Sequence, residues 1–382
     1  MSHINKIKIA LILGACQFWL TSFVLYLNTR GFDAEYAYFL LGLYSIAIVI
    51  FEYPTGVIGD FFSHKISLSL GFGLLTLSLI LISFAGSVYY YGFILILSAL
   101  GSSLISGSDT ALLHTASINF KADLSHVKFY SLLMSVTAIT IGGFLSAMDL
   151  RYPLYASALS FFVAGAILSF APNYRSERIA GNIFATSAEG FRHVVTNKEL
   201  LALIKASSLL GAFFISLKWF YNPLFLELKI PLNYWGVIIA VAGLLIAGGV
   251  WIFKKFPEKN IVIIFIAVTI SIFFIGSTNI VALPILAIFI NQALRGYIDT
   301  QLDIKIHHAI QKSVRASVMS LKSLLVRLGS SFMIFLFGII LAKSSFFILM
   351  SAFAIGIFVL GIHPILKIRS YKEVVAKSTN SC

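Results

Sequence analysis

Ionisable side chains inside long apolar stretches are the residues of this sequence with the clearest capacity for chemistry. Arg295 and Asp299 stand four residues apart in one such stretch, a spacing that places them on the same face of a helix. Asp109 and Arg327 occur in two other apolar stretches. A lone charge near the middle of a membrane costs roughly 2.5–3.5 kcal/mol, so such groups tend to be paired or functional. The chemistry open to them is the binding of a charged substrate or the uptake and release of a proton.

Each of these groups has more than one interpretation. Arg295 and Asp299 are either a structural ion pair or a substrate or gating site. Asp109 has no Lys or Arg within a turn of its own helix. Its partner therefore comes from another helix, or it is protonated part of the time, which makes Asp109 the candidate for proton coupling. Arg327 is a candidate partner for Asp109, for Glu52 or for an anionic substrate.

The composition places these residues in a membrane protein. The chain has 382 residues, of which 59% are hydrophobic and 11% are charged. A soluble domain of this length could not hide so much apolar surface from water. The formal net charge of +13 fits the Lys and Arg that collect in cytoplasmic loops, and we expect no nucleic-acid partner. The two cysteines, Cys16 and Cys382, form no plausible disulfide or metal site, and neither a metal nor another cofactor is expected.

The apolar stretches predict an all-α integral membrane protein with twelve transmembrane helices in two pseudo-symmetric six-helix bundles. A helix that crosses the hydrocarbon needs about 20 mostly apolar residues. The twelve candidate spans lie near residues 8–29, 36–58, 66–86, 90–114, 127–148, 151–171, 199–221, 233–253, 260–278, 281–304, 315–341 and 344–367.

A polar connection at 172–199 divides the chain into halves of similar length. We expect an N-terminal bundle over 1–172, a cytoplasmic linker over 173–198, a C-terminal bundle over 199–368 and a cytoplasmic tail over 369–382. Most Lys and Arg residues in the connections fall on one side, which predicts that both termini are cytoplasmic. The sequence "DTAL" at 109–112 is similar to "DTQL" at 299–302 at the corresponding place in the second half, which suggests that the halves are related repeats.

The stretch "FEYPTGVIGDFFSHK", Phe51 to Lys65, places polar groups at the edge of the second span. Asp60 either caps the third helix in solvent, or contacts a helix terminus or basic group in one conformation of a moving protein. A helix N-terminus attracts a carboxylate by about 0.3–1 kcal/mol, and by up to about 2 kcal/mol when partly buried. A contact of that size, made in one state only, would shift a two-state equilibrium severalfold. Gly56 would allow a neighbouring helix to approach closely.

Within this stretch, "GVIGDFFSHK" resembles the signature of loop 2–3 in the major facilitator superfamily. The segments "E-x-P-T-G" from Glu52, "SGSDTALL" at 106–113 and "RASVMSLKSLLVRL" at 315–328 resemble a bacterial branch described as drug-efflux-like or uncharacterised. The resemblance covers essentially the whole chain. It implies that Gly56, Asp60 and Lys65, together with Glu52, form a cytoplasmic gating latch. It also implies that span one lines the cavity, where Gln17 and Thr21 would share a face.

The implied function is secondary active transport of a small molecule by alternating access, with proton-coupled efflux as one form. The signature departs from the family pattern at Phe61, Ser63 and His64, and span four lacks the Arg of proton-coupled drug antiporters. One alternative is an uptake transporter or uniporter for an anionic metabolite. Another, from a different class, is a non-transporting membrane sensor or enzyme, although the main interpretation is not an enzyme.

The expected partners are a small-molecule substrate, protons as a candidate coupling ion, and membrane lipid. We expect a monomer in the bacterial cytoplasmic (inner) membrane that crosses it many times.

Overall fold

The regular structure of this chain is helical, with no strand among the residues described. The structure is a computed structural model. It describes residues 3–61, 63–84, 86–173, 191–257, 260–310 and 315–379, except for the side chains of Tyr53, Ala316, 56–61 and 369–379. The helices are α1 (His3–Leu13), α2 (Phe23–Thr29), α3 (Ala34–Phe61), α4 (His64–Ile82), α5 (Val88–Ile105), α6 (Ser108–Ala116), α7 (Phe120–Met148), α8 (Tyr152–Ser169), α9 (Lys198–Glu227), α10 (Leu232–Lys255), α11 (Ile261–Ile275), α12 (Ala282–Ala309), α13 (Arg315–Lys343) and α14 (Phe346–Thr379), with a 3₁₀ turn at Phe18–Thr21.

Polar residues at the helix starts explain where several of these helices begin. The first backbone N–H groups of a helix lack partners within the helix, and Asn or Ser side chains can accept from them. Asn197 Oδ1 accepts from Glu199 N and Leu200 N, each at 3.1 Å, at the start of α9. Asn260 does the same for α11, where Val262 N is 3.0 Å from its Oδ1. The apolar runs that follow each cap then continue as helix, because lipid offers no other partner for the backbone.

Length and apolarity support the predicted fold class of an all-α integral membrane protein. Within the described residues, nine helices are long and apolar enough to cross a membrane, and a tenth is added if the bent first span is counted as one. The two other predicted spans are helices of a different character. Helix α11 has only 15 residues, and α12 is interrupted by polar and charged side chains such as Asn291 and Arg295.

The fourth predicted span is not one continuous helix. Helix α5 ends at Ile105 and α6 begins at Ser108. Between them Gly107 has a φ of +82°, a left-handed conformation that side chains with a Cβ rarely adopt. The break therefore depends on a glycine at this position, and it places Asp109 in the first turn of a new helix.

The chain folds into two compact units. Unit 1 comprises Met1–Ala180 with Lys229–Ala240, and unit 2 comprises Gly181–Leu228 with Val241–Cys382. In unit 1, α5 packs against α3 and α4, and α4 also packs against α8. In unit 2, α9 packs against α13 and α14, while α11 packs against α12 and α14.

Within unit 2, the C-terminal part of α10 and the helix α12 meet backbone to backbone at two glycines. A Cβ atom on Gly249 would lie 1.9 Å from the carbonyl oxygen of Ala293. A Cβ atom on Gly296 would lie 2.0 Å from the carbonyl oxygen of Ile246. Only glycine allows such an approach, which is the usual way in which membrane helices pack closely. This contact fixes the position of α12, the helix that carries Arg295 and Asp299.

Candidate functional site

Helix α12 carries the ion pair expected from the sequence. Arg295 lies at the middle of α12, and its Nε is 3.5 Å from Asp299 Oδ2. The Nε atom is buried and has no aligned hydrogen-bond acceptor among the described residues, so the contact is mainly electrostatic. The two side chains remain 27% and 37% exposed. Arg295 is therefore paired but keeps unused donor capacity.

Helix α9 presents an aromatic and polar face to this part of α12. Phe214, Lys218 and Tyr221 follow a spacing of four and three residues, which places them on one side of α9. The guanidinium carbon of Arg295 lies 5.3 Å from the centroid of the Phe214 ring. One turn away, Gln292 Nε2 donates to Tyr221 OH at 2.6 Å. These two contacts align the polar faces of the two helices.

A third helix of unit 2 adds positive charge to the same region. The charges of Arg295 on α12 and Arg327 on α13 both act on the ammonium of Lys218. Lys218 is exposed, and its Nζ lies 4.7 Å from the centroid of the Trp219 ring. Arg327 is half-buried near the middle of α13. Charged groups with exposed surface at this depth along their helices require water rather than lipid around them.

An ion pair between α12 and α13 completes the arrangement. Lys322 Nζ of α13 contacts Asp303 Oδ1, and the Lys322 side chain is 15% exposed. Asp299 in turn experiences the charges of Arg295, Lys322 and Asp303. We call the six charged side chains on these three helices the charged network of unit 2. Its members are Lys218, Arg295, Asp299, Asp303, Lys322 and Arg327.

Sequence reasoning missed the buried amides beside this network. Asn291 Nδ2 donates to Ser271 Oγ at 2.8 Å, and Asn291 and Gln292 are 0% and 4% exposed. Among the described residues, Asn291 Oδ1 and Gln292 Oε1 have no hydrogen-bond partner. A buried polar atom without a partner is destabilising and is often associated with function. The signal available in the sequence was the Asn-Gln pair inside an apolar run, three to four residues before Arg295.

Asp109 lies in unit 1, at the start of α6. Its Oδ1 accepts from Thr110 N at 2.6 Å and from Thr110 Oγ1 at 3.2 Å. It also lines a cavity of about 340 Å³ whose wall includes Lys128 and Ser131 of α7 and Gly14 after α1. That volume is at the lower end of the range for small-molecule sites. Asp109 therefore reaches an open space with a basic residue on its wall.

The first span is broken around Gln17, and side chains of α8 satisfy the freed backbone groups. The helical pieces on the two sides of Ser22 are bent by 47°. Ser160 Oγ donates to the carbonyl oxygen of Leu13 at 2.9 Å, and Trp19 N donates to Ser157 Oγ at 3.2 Å. Hydroxyl side chains commonly stabilise a broken helix in lipid in this way.

The broken part of span one includes Gln17 and Thr21, the two residues of the span that the sequence predicts to share a face. Thr21 is fully buried, and its Oγ1 donates to the carbonyl oxygen of Ile139 on α7 at 3.0 Å. Gln17 is half-buried and precedes the 3₁₀ turn. Thr21 therefore contacts α7, and the shared cavity face of Gln17 and Thr21 stays a prediction.

The predicted latch is only partly visible. Lys65 Nζ donates to the carbonyl oxygens of Ser169 at 2.8 Å and Ala171 at 2.5 Å, which stabilises the C-terminal end of α8. Glu52 Oε1 accepts from Ser106 Oγ at 3.5 Å. Gly56 lies within α3, and the side chain of Asp60 lies outside the described part of the chain. Their role, and that of Lys65 and Glu52, in a gating latch stays a prediction.

No set of three or more His, Cys, Asp or Glu residues in the described chain could hold a metal ion. Carboxylates, basic groups and amides are side chains that can bind ions and polar molecules and can transfer protons. The residues of the site fall into two places, one in each unit: the Asp109 cavity of unit 1 and the charged network of unit 2.

Comparison with known proteins gives this geometry a family context. The family model described as Major Facilitator Superfamily matches residues 9–333. No curated protein matches the chain. Among solved structures, the nucleoside transporter NupG superposes with a TM-score of 0.82 at 16% identity, covering 96% of this chain and 99% of that chain. A D-xylose-proton symporter superposes with a TM-score of 0.72 at 14% identity, covering 96% of this chain and 97% of that chain. The inward-open xylose transporter XylE from E. coli gives 0.68 at 13% identity, with 94% of each covered. At these identities the likeness shows the fold.

Proposed function

The chain belongs to the Major Facilitator Superfamily and is a multi-pass membrane transporter, and from this premise we propose that it is a secondary active transporter that works by alternating access. The cargo is a small molecule. The moving bodies are the predicted bundles, residues 1–172 and 199–368, joined by the linker at 173–198. Both termini face the cytoplasm, and the host membrane is a bacterial cytoplasmic membrane. The protein works as a monomer.

The charged network of unit 2 is the single observation that carries this proposal. Ionised groups in the middle of membrane helices are expensive unless they are paired, hydrated or functional. Arg295 and Asp299 are exposed at mid-helix, which supports a water-filled path along this face of α12. Broken helices such as span one and span four are common where transporters bind ions and substrates.

We further propose that transport is coupled to protons through Asp109, whereas Arg295 and Asp299 belong to the substrate or gating site. The position of Asp109 on the wall of a cavity supports this assignment, because water in the cavity could deliver a proton to it. Efflux driven by inward proton movement is the direction that the sequence resemblance favours. Uptake would instead move the substrate and the proton inward together, with Asp109 again as the group that carries the proton.

Reconstitution in liposomes tests the proposal. The full-length protein would be assayed with a panel of radiolabelled nucleosides, sugars, peptides, organic acids and lipophilic cations, with and without a pH gradient. Two modes are measured: net flux driven by the gradient, and exchange of labelled for unlabelled substrate at equal pH. Asp109→Asn should abolish gradient-driven flux but retain exchange, because exchange needs no net proton movement. Asp299→Asn should reduce both modes by tenfold or more.

The matched control is Asp149→Asn, which removes a carboxylate from a connection between helices and should change both modes less than twofold. Equal gradient-driven flux in wild type and Asp109→Asn would remove Asp109 as the coupling group. Absence of flux for the whole panel, with the protein folded, would contradict secondary transport. Protease accessibility of the chain termini reports the orientation of the protein in the liposome membrane. With the orientation known, the measured flux can be assigned to efflux or to uptake.

A further inference from the structure

The charged network of unit 2 has more positive than negative charge. Four of its side chains are basic, Lys218, Arg295, Lys322 and Arg327, and two are acidic, Asp299 and Asp303. The fully ionised network therefore has a net charge of two positive units. Transporters that bind cationic drugs would be expected to show the opposite balance, because like charges repel strongly where little water is present.

Both carboxylates of the network are already engaged by basic partners. Asp299 pairs with Arg295, and Asp303 pairs with Lys322. Lys218 contacts the Trp219 ring, and a cation–π contact leaves the positive charge in place. The positive charge of Lys218 therefore lies one helical turn from Phe214, the ring that Arg295 contacts from α12.

The geometry around Lys218 is open to a ligand. Lys218 is exposed and the Arg295 side chain is 27% exposed, so both present basic surface to a ligand. The stacking of Arg295 on Phe214 and the hydrogen bond between Gln292 and Tyr221 fix the two helices on which these donors stand. Donors held in place before binding lose little entropy when a ligand arrives.

We propose that the transported molecule carries an oxyanion, a carboxylate or a phosphate, which binds between Lys218 and Arg295 and is attracted by Arg327. Charge-assisted hydrogen bonds from both donors would hold the oxyanion, as basic side chains commonly hold carboxylates and phosphates. Binding of a dianion would neutralise the excess charge of the network. The inference rests on the proposed transport function, since it names the class of molecule that is transported.

Equilibrium binding to the full-length protein in nanodiscs tests this inference. Inorganic phosphate, succinate and benzoate would be titrated at constant ionic strength, with glucose and tetraphenylphosphonium as neutral and cationic probes. The fluorescence of Trp219, adjacent to Lys218, and the shift in the thermal unfolding midpoint serve as two readouts. We expect at least one anion to bind, and we expect its affinity to fall as ionic strength is raised. The anion that binds best identifies phosphate or carboxylate as the group recognised.

Substitutions at Lys218 separate recognition from folding. Lys218→Gln should weaken binding of that anion about tenfold or more, whereas the charge-preserving Lys218→Arg should stay within about threefold of wild type. The matched control is Lys205→Gln, which removes another exposed lysine from the same helix and should change affinity less than twofold. A Trp219→Phe variant should lose the fluorescence change but keep the thermal shift.

The outcomes distinguish this inference from the proposed function. If none of the three anions binds, or if Lys218→Gln binds the anion as tightly as wild type, the inference is wrong. Flux of a neutral or cationic molecule that no anion inhibits would also overturn it, while secondary transport would stand. Conversely, anion binding that depends on Lys218 in a protein without flux would contradict transport and leave the binding site intact.

Discussion

The two units of this protein use their polar side chains in different ways. In unit 1, hydroxyl and ammonium groups satisfy the backbone: Ser157 and Ser160 serve the broken first span, and Lys65 serves the end of α8. In unit 2, charged side chains of α12 and α13 contact one another, as Arg295 does with Asp299 and Lys322 does with Asp303. The first arrangement maintains an irregular chain path, and the second concentrates charge on regular helices.

This difference separates two kinds of polar residue that look alike in an apolar sequence. A hydroxyl that is hydrogen-bonded to a backbone N–H or C=O group at a helix break already has its hydrogen-bond partner within the fold. A charged side chain paired with another side chain can exchange its partner for a ligand without unfolding the helix. We therefore expect substitutions at the break of unit 1 to lower stability, and substitutions in the network of unit 2 to alter binding.

The largest expected effect tests whether the regular helices of unit 2 hold the network in place. Gly249→Ala would bring a Cβ atom to 1.9 Å from the carbonyl oxygen of Ala293, so the backbones of α10 and α12 must separate. Overpacking typically costs 1–3 kcal/mol, and a clash with backbone costs more than one with a flexible side chain. We expect loss of monodisperse protein on size-exclusion chromatography.

The neighbouring glycine provides the control for this experiment. A Cβ atom on Gly248 would meet nothing within 4 Å, so Gly248→Ala should leave the elution profile unchanged. A Gly249→Ala protein with wild-type thermal stability would show that α12 is not held by this backbone contact.

An intermediate loss of stability is expected when the hydroxyl of Ser157, which supports the broken first span of unit 1, is removed. Ser157→Ala would leave Trp19 N without the acceptor at 3.2 Å that it has now, at a site where Ser157 is fully buried. Loss of a partner for a buried donor costs about 1–3 kcal/mol. We expect a lower thermal unfolding midpoint, with the anion affinity of unit 2 unchanged.

Ser125→Ala is the matched variant, since Ser125 is exposed and, among the residues described, its hydroxyl bonds only to the carbonyl oxygen of Lys121 in its own helix. Its midpoint should equal that of wild type. If Ser157→Ala weakened anion binding without lowering stability, the distinction between the units would break down.

The smallest effect concerns the connection between α7 and α8, which lies outside the spans. Hydrogen bonds from the side chain and then from the backbone N–H of Arg151 lower the pKa of Asp149 to about 2. Because the pKa in the folded state is below the unfolded value of about 3.9, the stabilisation is complete above about pH 4 and disappears as the pH falls toward 2. Exposed pairs of this kind contribute less than about 1 kcal/mol.

Asp149→Asn should therefore unfold at a slightly lower temperature than wild type at pH 7. The difference between the two unfolding temperatures should become smaller below pH 4. Arg151→Gln should lower the unfolding temperature by a similar amount, and the double variant should unfold at nearly the same temperature as either single variant. If the difference in unfolding temperature between wild type and Asp149→Asn grew as the pH fell, the downward shift of the Asp149 pKa would be contradicted.

The fold class was predictable from the sequence, whereas the helix interruptions were only partly visible in it. The apolar runs and capping residues such as Asn197 and Asn260 mark where helices lie, because both effects are local in the chain. Gly107 sits within "SGSD", where a break could be suspected. The break around Gln17 could not be predicted, since its stability depends on Ser157 and Ser160, far away in sequence.

For the candidate site, the sequence predicted the residues better than their arrangement. The spacing of Arg295 and Asp299 was enough to predict their pairing, because residues four apart in a helix are neighbours. Lys218 has no charged residue three or four positions away in α9, so helical spacing predicts no partner for it. Its relation to Arg295 and Arg327 involves three helices, so spacing along one helix carries no information about it.

The sequence by itself determined that this chain is a bundle of membrane helices with rare internal charges, because lipid leaves the backbone no alternative to helix and makes each buried charge conspicuous. Only the tertiary structure decided which charges meet. The rotation of each helix about its axis is set by packing, such as the glycine contact between α10 and α12, and side chains distant in sequence become neighbours through that packing.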